Sequence, residues 1–217
     1  AHGAFVDAKF KGLRLMAGHN QYKSADFQFG AQADIYAKSF ANAGYDLNIN
    51  DKWNSSLNFT YNYATFKSGP FPGIKRYSDD VVAEWTNNVA FSEKFKLTFG
   101  GLYNYIKGKE TMNTMGEKSI ISDESRGSIA IYTQADLWLL KTLKVIGGFQ
   151  LNKVDNYDLD LVPRGGVIWY PTKRVNIKAL YSQAYRAASV DEFGMKSTML
   201  NGNPNIKPEK VSTMDLG

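Results

Sequence analysis

The feature of this sequence that most constrains its fold is a two-residue alternation that runs through unusually long segments. In WNSSLNFTYNYATF, the odd positions from Trp53 to Tyr63 are mostly aromatic or apolar, and the even positions from Asn54 to Ala64 are small or polar. Successive side chains of a β-strand point to opposite faces, so this segment predicts a strand with one apolar and one polar face. FKLTFGGLYNY and RVNIKALYSQAYR alternate in the same way, and no segment has the pattern of a sustained helix.

The connections between the predicted strands alternate in length. Short polar or proline-containing stretches interrupt the alternation and indicate tight turns at 50–52, 92–94, 140–142 and 171–173. Long links lie between them, at about 18–33, 67–78, 107–126, 155–162 and 187–210. All the short turns therefore fall at one end of the predicted sheet, in which about ten strands precede another that begins near Val211.

The strand lengths and the aromatic residues together indicate a membrane barrel. Segments of a dozen residues or more are about twice as long as the strands of most soluble sheets. In lipid, every backbone group of a spanning sheet must pair with a neighbour, and aromatic girdles mark the two interfaces. Here aromatic residues gather near the short turns, at Trp53, Phe91, Phe95, Trp169 and Tyr170, and near the long links, at Tyr61, Tyr63, Tyr103, Tyr105, Tyr181 and Tyr185. We therefore predict an all-β, antiparallel transmembrane β-barrel, because a soluble sheet would explain the alternation but not the girdles.

Composition argues against several function classes. The 217 residues include no Cys, which removes disulfide, thiolate-metal and cysteine-nucleophile chemistry. The net charge of +5 comes from 26 basic and 21 acidic residues that are interspersed rather than clustered, so we expect no nucleic-acid partner. The only histidines are His2 and His19, so no Ser-His-Asp set is evident and we expect no enzyme activity.

An ordered series of motifs begins at about Tyr132. It reads IYTQADLW, LKVIGGFQLN, PRGGVIWYP, LYSQAYRAASVDEF and then GNPNIKPE, which is followed by the strand start STMDLG. The order and spacing resemble the C-terminal half of a TonB-dependent outer-membrane receptor barrel, where a Tyr-Arg-Ala-Pro-Ser box and a Gly-Asn-Pro-x-Leu-Lys-Pro-Glu box come last. The sequence departs from that pattern at Ala188, where Pro is usual, at Ile206, where Leu is usual, and at Gln150, where Arg is frequent.

The resemblance implies a fold and a function. Residues 1–217 would form part of a receptor barrel domain, a partial barrel of about ten long strands from a 22-stranded barrel, without the plug domain and the final strands. The full-length protein would be an active-transport receptor for a scarce nutrient, first of all a ferric siderophore, energised by TonB through the plug. It would lie in the bacterial outer membrane among lipid and lipopolysaccharide, with no cofactor and no metal site of its own.

Two other functions stay open at this point. A passive porin-type or structural outer-membrane barrel would share the alternation, the girdles and the loop asymmetry, although it would lack the two boxes. A haem or glycan receptor would belong to the same family. No histidine lies between Arg186 and Asn203, so a haem receptor would have to use His19, near the first long link, as an axial ligand.

The two boxes supply the first set of candidate site residues. Arg186 ends one predicted strand and Glu209 precedes the next, so we expect their side chains to form a charge-assisted pair at the barrel rim. The prolines of the second box cannot donate to a sheet ladder, which indicates a rigid, irregular return of the chain. The rim set implied by the resemblance is Arg186, Asn203, Pro204, Lys207, Pro208 and Glu209.

A second set lies in the predicted loop KSGPFPGIKRYS. Basic groups beside aromatic rings suit an anionic, ring-bearing ligand such as a catecholate-type ferric siderophore. Lipopolysaccharide phosphate is the competing anion, and simple solvation of the loop is the third possibility. The predicted ligand-binding residues are Lys67, Phe71, Lys75, Arg76 and Tyr77.

Overall fold

The computed structural model describes residues 1–24, 34–68, 73–114, 116–196 and 201–217. Within these ranges the chain forms eleven strands and one short helix, and no helix is both long enough and apolar enough to cross a membrane. The elements in chain order are β1 (His2–Phe10), β2 (Leu13–Ser24), β3 (Asp34–Asn50), β4 (Trp53–Lys67), β5 (Gly73–Ala90), β6 (Phe95–Thr114), β7 (Glu117–Leu140), β8 (Leu143–Val154), β9 (Asp160–Thr172), β10 (Val175–Arg186), α1 (Val190–Gly194) and β11 (Glu209–Leu216).

All eleven strands belong to one antiparallel sheet in which spatial order follows chain order from β1 to β11. β1 and β11 form the two edges, so the sheet is open rather than a closed small barrel. The prediction of a partial antiparallel barrel is confirmed. The last strand begins at Glu209, two residues before the expected start at Val211.

The register divides the side chains between two faces. Leu57 lies opposite Tyr45 and Trp85, whereas its neighbour Ser56 lies opposite Asp46 and Thr86. We call the face that carries Leu57 and Trp85 the apolar face, and the face that carries Ser56 and Thr86 the polar face. Leu57 is 57% exposed and Trp85 is 47% exposed. Large apolar side chains left open to this extent form a surface that lipid covers in a membrane barrel.

The short connections lie at one end of the sheet, as predicted. They span 11–12, 51–52, 91–94, 141–142 and 173–174, of which the first was not predicted. In that turn Lys11 and Gly12 have φ values of 44° and 86°, as the two central positions of a type I′ hairpin require. At 51–52, the Asn50 side chain accepts a hydrogen bond from the Lys52 N–H at 2.9 Å, which is typical turn chemistry.

In three of the predicted long links, most of the described residues belong to strands, and for those residues the sequence-based prediction of a loop was wrong. β2 continues to Ser24, β4 continues to Lys67 and β5 begins at Gly73. β6 and β7 are paired as far as Thr114 and Glu117. These extensions carry polar side chains on both faces and few apolar ones, so they lack the regular alternation that marks a membrane-spanning strand. Their backbone groups nevertheless pair across the hairpin, which keeps them in the sheet. The link expected at 155–162 spans only 155–159.

The connection between β10 and β11 is long, as expected, and lies against the sheet. β6 and β7 have 20 and 24 residues, whereas β8 and β9 have 12 and 13. α1, which follows β10, contacts β6 and β7 beyond the end of this shorter hairpin. Among the described residues, the buried apolar side chains are Ile121, Ala130, Val154 and Ala188. Ala188 belongs to this connection, and the Ile121 backbone is hydrogen-bonded to it.

Candidate functional site

The rim residue Arg186 is held between two carboxylates. β10 and β11 pair in a register that sets it directly opposite Glu209. Its Nε and Nη2 donate to Glu209 at 3.0 and 2.9 Å, and its Nη1 and Nη2 donate to Glu192 at 3.0 and 3.1 Å. The expected pair with Glu209 is therefore confirmed. The second carboxylate, from α1, was not predicted.

Glu192 occupies its position because of how α1 begins. Ser189 is the N-cap, its side chain accepts from the Glu192 N–H, and the Glu192 carboxylate accepts from the Ser189 N–H at 2.6 Å. This reciprocal capping box is encoded by Ser-x-x-Glu spacing, so the sequence SVDE carried a signal for it. Hydrogen bonds from Arg186 and then from the Ser189 backbone hold the pKa of Glu192 at about 2. The same guanidinium lowers the pKa of Glu209.

The second box returns the chain from α1 to β11. Asn203 donates its N–H to the Glu192 carbonyl at 2.8 Å, and its side chain accepts from the Asn205 N–H at 2.9 Å. Pro204, Lys207 and Pro208 line a cavity of about 530 Å³, together with Tyr185, residues 156–160 and Lys210. At this cavity the Lys210 ammonium forms an ion pair with Asp160. The structure thus places the box residues together at the rim. Their role in ligand binding stays a prediction.

A bulge in the β6–β7 pair docks the connection onto the sheet. The register shifts after Glu110, so that Ile121 has no partner residue in β6. A bulged residue leaves the ladder, and here the Ile121 carbonyl accepts instead from the Lys196 N–H at 2.7 Å. Close packing adds to this, because a Cβ on Gly108 would lie 2.6 Å from Val190 of α1. The connection is therefore held against β6 and β7 both at Val190, in α1, and at Lys196, after α1.

The predicted ligand loop is divided between the two faces. Lys67 in β4 and Lys75 and Tyr77 in β5 lie on the apolar face, where Lys67 and Lys75 are directly opposite each other. Arg76 lies on the polar face, opposite Phe66 and Glu110. Phe71 lies outside the described residues. The four described residues are thus divided between the two faces, because alternate residues of a strand point to opposite sides. Their role in ligand binding stays a prediction.

Among the described residues of the predicted set, Arg76 is the one that faces the polar side. Its Nε donates to Glu110 at 2.7 Å, and the Glu110 side chain is only 8% exposed. A buried carboxylate needs such a partner, because an uncompensated charge there is costly. The Arg76 side chain remains 47% exposed, so part of the guanidinium is available to a ligand.

Beside Arg76 the polar face carries a row of aromatic rings that the sequence analysis did not identify. Tyr22, Tyr36 and Phe66 are successive partners across β2, β3 and β4, and Phe66 is in turn opposite Arg76. The Tyr22 and Tyr36 rings stack with centroids 4.8 Å apart and an angle of 8°, and Tyr36 and Phe66 are also 4.8 Å apart. These rings, with Arg76 and Lys38, line a cavity of about 600 Å³. We call Tyr22, Tyr36 and Phe66 the aromatic row.

The polar face below this row is crossed by hydrogen-bonded side chains. Arg14 donates to Asp46 at 2.8 and 3.1 Å, and Asp80 accepts from Asn62 at 2.9 Å and from Asn104 at 2.5 Å. Each of these contacts joins different strands, so polar groups on the face satisfy one another. A polar lining of this kind is what the interior of an outer-membrane barrel presents.

His19 does not point toward the aromatic row. It lies on the apolar face with Ala17 and Val6, and its Nδ1 is 2.9 Å from the Ser39 hydroxyl. The haem alternative therefore loses the histidine on which it depended. Over the described ranges, no group of three or more His, Asp and Glu side chains is arranged to hold a metal ion.

Long antiparallel strands with a lipid-type face, a polar face, short turns at one end and a docked connection at the other define an outer-membrane β-barrel. A family model described as TonB dependent receptor-like, beta-barrel matches residues 3–217. The chain belongs to this family, and its location is the outer membrane of a Gram-negative bacterium. The resemblance noted from the motifs is confirmed.

Solved structures show the same fold at low sequence identity. A mutant of the ferric enterobactin receptor PfeA from Pseudomonas aeruginosa has a TM-score of 0.67 at 13% identity, over 83% of this chain and 32% of its own. The copper transporter OprC has a TM-score of 0.64 at 13% identity, over 99% of this chain and 41% of its own. The alcaligin outer-membrane receptor FauA from Bordetella pertussis has a TM-score of 0.64 at 12% identity, over 99% of this chain and 39% of its own.

The chain spans about a third to two fifths of the length of these structures. No curated protein sequence matches it. That a plug domain and further strands complete the full-length protein stays a prediction.

Proposed function

We propose that this chain is the ligand-facing part of the barrel of a receptor that imports a ferric siderophore, powered by TonB through a plug domain elsewhere in the full-length protein. The observation that carries the proposal is the aromatic row beside Arg76 and Lys38, on the polar face at the long-loop end. The chain's family consists of transport receptors, and we propose that it performs no catalysis.

The chemistry of this cavity suits a ferric catecholate complex, which is anionic and presents flat aromatic rings. Phe66 and Tyr36 offer ring faces and edges for stacking. Arg76 adds a planar cation that pairs with anionic oxygens and stacks on rings. Because Glu110 fixes one side of the guanidinium, Arg76 is held in place before a ligand arrives, which reduces the entropy lost on binding.

Binding is tested in the full-length receptor with a double variant of the aromatic row, Tyr36→Ala with Phe66→Ala. The matched control removes two rings from the apolar face of β4 and β6, Phe59→Ala with Tyr103→Ala. We expect ferric catecholate binding to weaken about tenfold or more in the first variant, equivalent to about 1.4 kcal/mol, and to be unchanged in the second. Equal affinity of both variants for every ferric catecholate tested would contradict this site.

The passive alternative is tested separately by uptake. Iron-limited cells that carry the full-length receptor are given a radiolabelled ferric catecholate, with and without a functional TonB. An energised receptor loses uptake when TonB is removed although it still binds ligand at the surface. A passive barrel continues to admit the ligand, and that result would leave the binding site in place while rejecting the proposed transport.

A further inference from the structure

The two histidines of the chain lie side by side on the apolar face. His19 of β2 lies opposite Ala4 of β1, and His2 lies two residues before Ala4, so the two imidazoles project from neighbouring strands toward the same side. Their ring centroids are 6.2 Å apart, and both side chains are exposed. We call His2 and His19 the histidine pair. The aromatic row lies on the other face of the sheet.

The separation of the two rings suits one shared metal ion. A transition metal lies about 2.1 Å from the imidazole nitrogen that binds it, and therefore about 3.2 Å from the ring centroid. Two rings on one ion thus have centroids about 4.5 Å apart when they bind at a right angle and about 6.4 Å apart when they bind on opposite sides. The observed 6.2 Å falls within this range, and the angle of 37° between the ring planes shows that the rings are not stacked on each other.

A hydrogen bond prepares one nitrogen of His19 for a metal. The Nδ1 atom is 2.9 Å from the Ser39 hydroxyl. When Nδ1 carries the proton and donates it to this hydroxyl, Nε2 keeps its lone pair and is free to bind an ion. Histidines that ligate metals usually have such a bond from the other ring nitrogen, because it fixes the tautomer and the ring orientation. Ser39 is therefore a positioning residue for Nε2 of His19.

The surroundings of the histidine pair leave room for an ion and its remaining ligands. In the part of the chain that the structure describes, His2 contacts the His19 ring and has no hydrogen-bond partner. Gln21 lies directly opposite His2 on the same face, so its amide carbonyl can supply a third ligand, and water can complete the coordination. His19, Ser39 and Tyr63 lie in one row across β2, β3 and β4, which places the pair at the level of the tyrosine girdle, where water reaches the surface.

We infer that the histidine pair binds a divalent transition-metal ion, and Cu²⁺ most tightly. Imidazole nitrogen is a good ligand for Cu²⁺, Ni²⁺ and Zn²⁺, and the affinity of a nitrogen site is highest for Cu²⁺ among these ions. Mg²⁺ and Ca²⁺ prefer oxygen ligands and are expected not to bind. The family resemblance implied no metal site, so this site goes beyond it. It is also independent of the proposed siderophore cavity, which lies on the opposite face.

The test measures Cu²⁺ binding to the purified full-length receptor in lipid nanodiscs by titration calorimetry. The variants His2→Gln and His19→Gln are measured separately. Because two linked ligands bind about 100-fold more tightly than one, each variant is expected to bind Cu²⁺ about 100-fold more weakly than wild type. Ser39→Ala keeps both imidazoles and is expected to weaken binding about tenfold. The matched control Tyr63→Phe removes a hydroxyl from the same row and is expected to leave the affinity unchanged.

Pulsed electron paramagnetic resonance of the bound Cu²⁺ counts the imidazole ligands, and so separates this site from other Cu²⁺ sites of the full-length receptor. An ion with two imidazoles is expected in wild type, and that signal should be lost in both histidine variants, whose folding is confirmed by heat-modified gel mobility. Wild-type affinity and imidazole count in His2→Gln and His19→Gln would overturn the inference. So would a loss in only one of the two variants, because a single histidine would then be the ligand.

Discussion

Neighbouring residues of one strand have opposite surroundings on the two faces of the sheet. On the polar face, Arg76 neutralises the buried Glu110 and stands beside the aromatic row. On the apolar face, Lys75 is exposed opposite Lys67. One residue of displacement along β5 therefore separates a preorganised cation near a cavity from an uncompensated cation near lipid. The difference teaches that the strand register, rather than the position in a loop, determines which face a side chain lies on and therefore what it can contact.

The largest expected effect comes from placing a charge on each face. Leu57 lies midway between Trp53 and Tyr61 on the apolar face, so Leu57→Arg is expected to cost about 2–4 kcal/mol of unfolding free energy in a bilayer. Thr60→Arg, on the polar face of the same strand, is expected to cost less than about 1 kcal/mol. Urea unfolding of the full-length receptor in lipid vesicles measures both, and equal costs would show that the faces are not distinct.

A smaller effect is expected from the adjacent residues Arg76 and Lys75. Arg76→Ala leaves the buried Glu110 carboxylate without its partner, and partial exposure of the guanidinium reduces the usual cost to about 2 kcal/mol. Lys75→Ala is expected to change stability by less than about 0.5 kcal/mol. The same urea experiment reports both. Adding Glu110→Gln to Arg76→Ala is expected to restore most of the loss, and no restoration would argue against a charge effect.

The docked connection on the polar face offers a steric comparison. A Cβ on Gly202 would lie 2.6 Å from the Phe193 carbonyl carbon and 2.8 Å from two backbone nitrogens, whereas a Cβ on Gly147 would meet nothing within 4 Å. Gly202→Ala is therefore expected to raise protease cleavage within 187–208 several-fold. Gly147→Ala is expected to leave that rate unchanged, and similar rates in the two variants would mean that the connection is not packed as described.

The smallest effect concerns pH. The ionised Glu192 is stabilised by Arg186, and its pKa is held at about 2, below the usual value of about 4.3. Stabilisation by this group is thus complete above about pH 4.3 and is lost as the pH falls toward 2. Cleavage by an acid-active protease should begin in 187–208 only near the lower value. In Arg186→Gln the onset is expected nearer pH 4, and an identical onset in wild type would contradict the role of Arg186.

The sequence predicted the parts of this account that depend on local pattern. Alternation from Trp53 to Tyr63 identified the two faces, and turn residues such as Asn50 identified the short-turn end. Arg186 and Glu209 could be paired in advance because two boxes flank one connection. Glu192 was missed although its capping-box spacing is local.

The rest depends on information that no single segment carries. Tyr22, Tyr36 and Phe66 become neighbours only through the registers of three strands, and a slip of one residue would move each ring to the other face. The extensions of β6 and β7 carry mostly polar side chains, so their sequence has the pattern of a loop rather than of a membrane-spanning strand. The bulge at Ile121 coincides with a contact from a distant segment, the hydrogen bond from the Lys196 N–H, which no local pattern predicts.

The most direct test of the central claim is a scan of solvent exposure along β4 in the full-length receptor in a bilayer. The chain has no cysteine, so single cysteines at positions 57 to 67 can each carry a nitroxide spin label. We expect collisions with oxygen, which concentrates in lipid, to be high at Leu57, Phe59 and Tyr61. Collisions with a water-soluble nickel chelate should be high at Asn58, Thr60 and Asn62, with a period of two residues. Equal access of the chelate to both sets would contradict the assignment of one face to lipid and the other to the barrel interior.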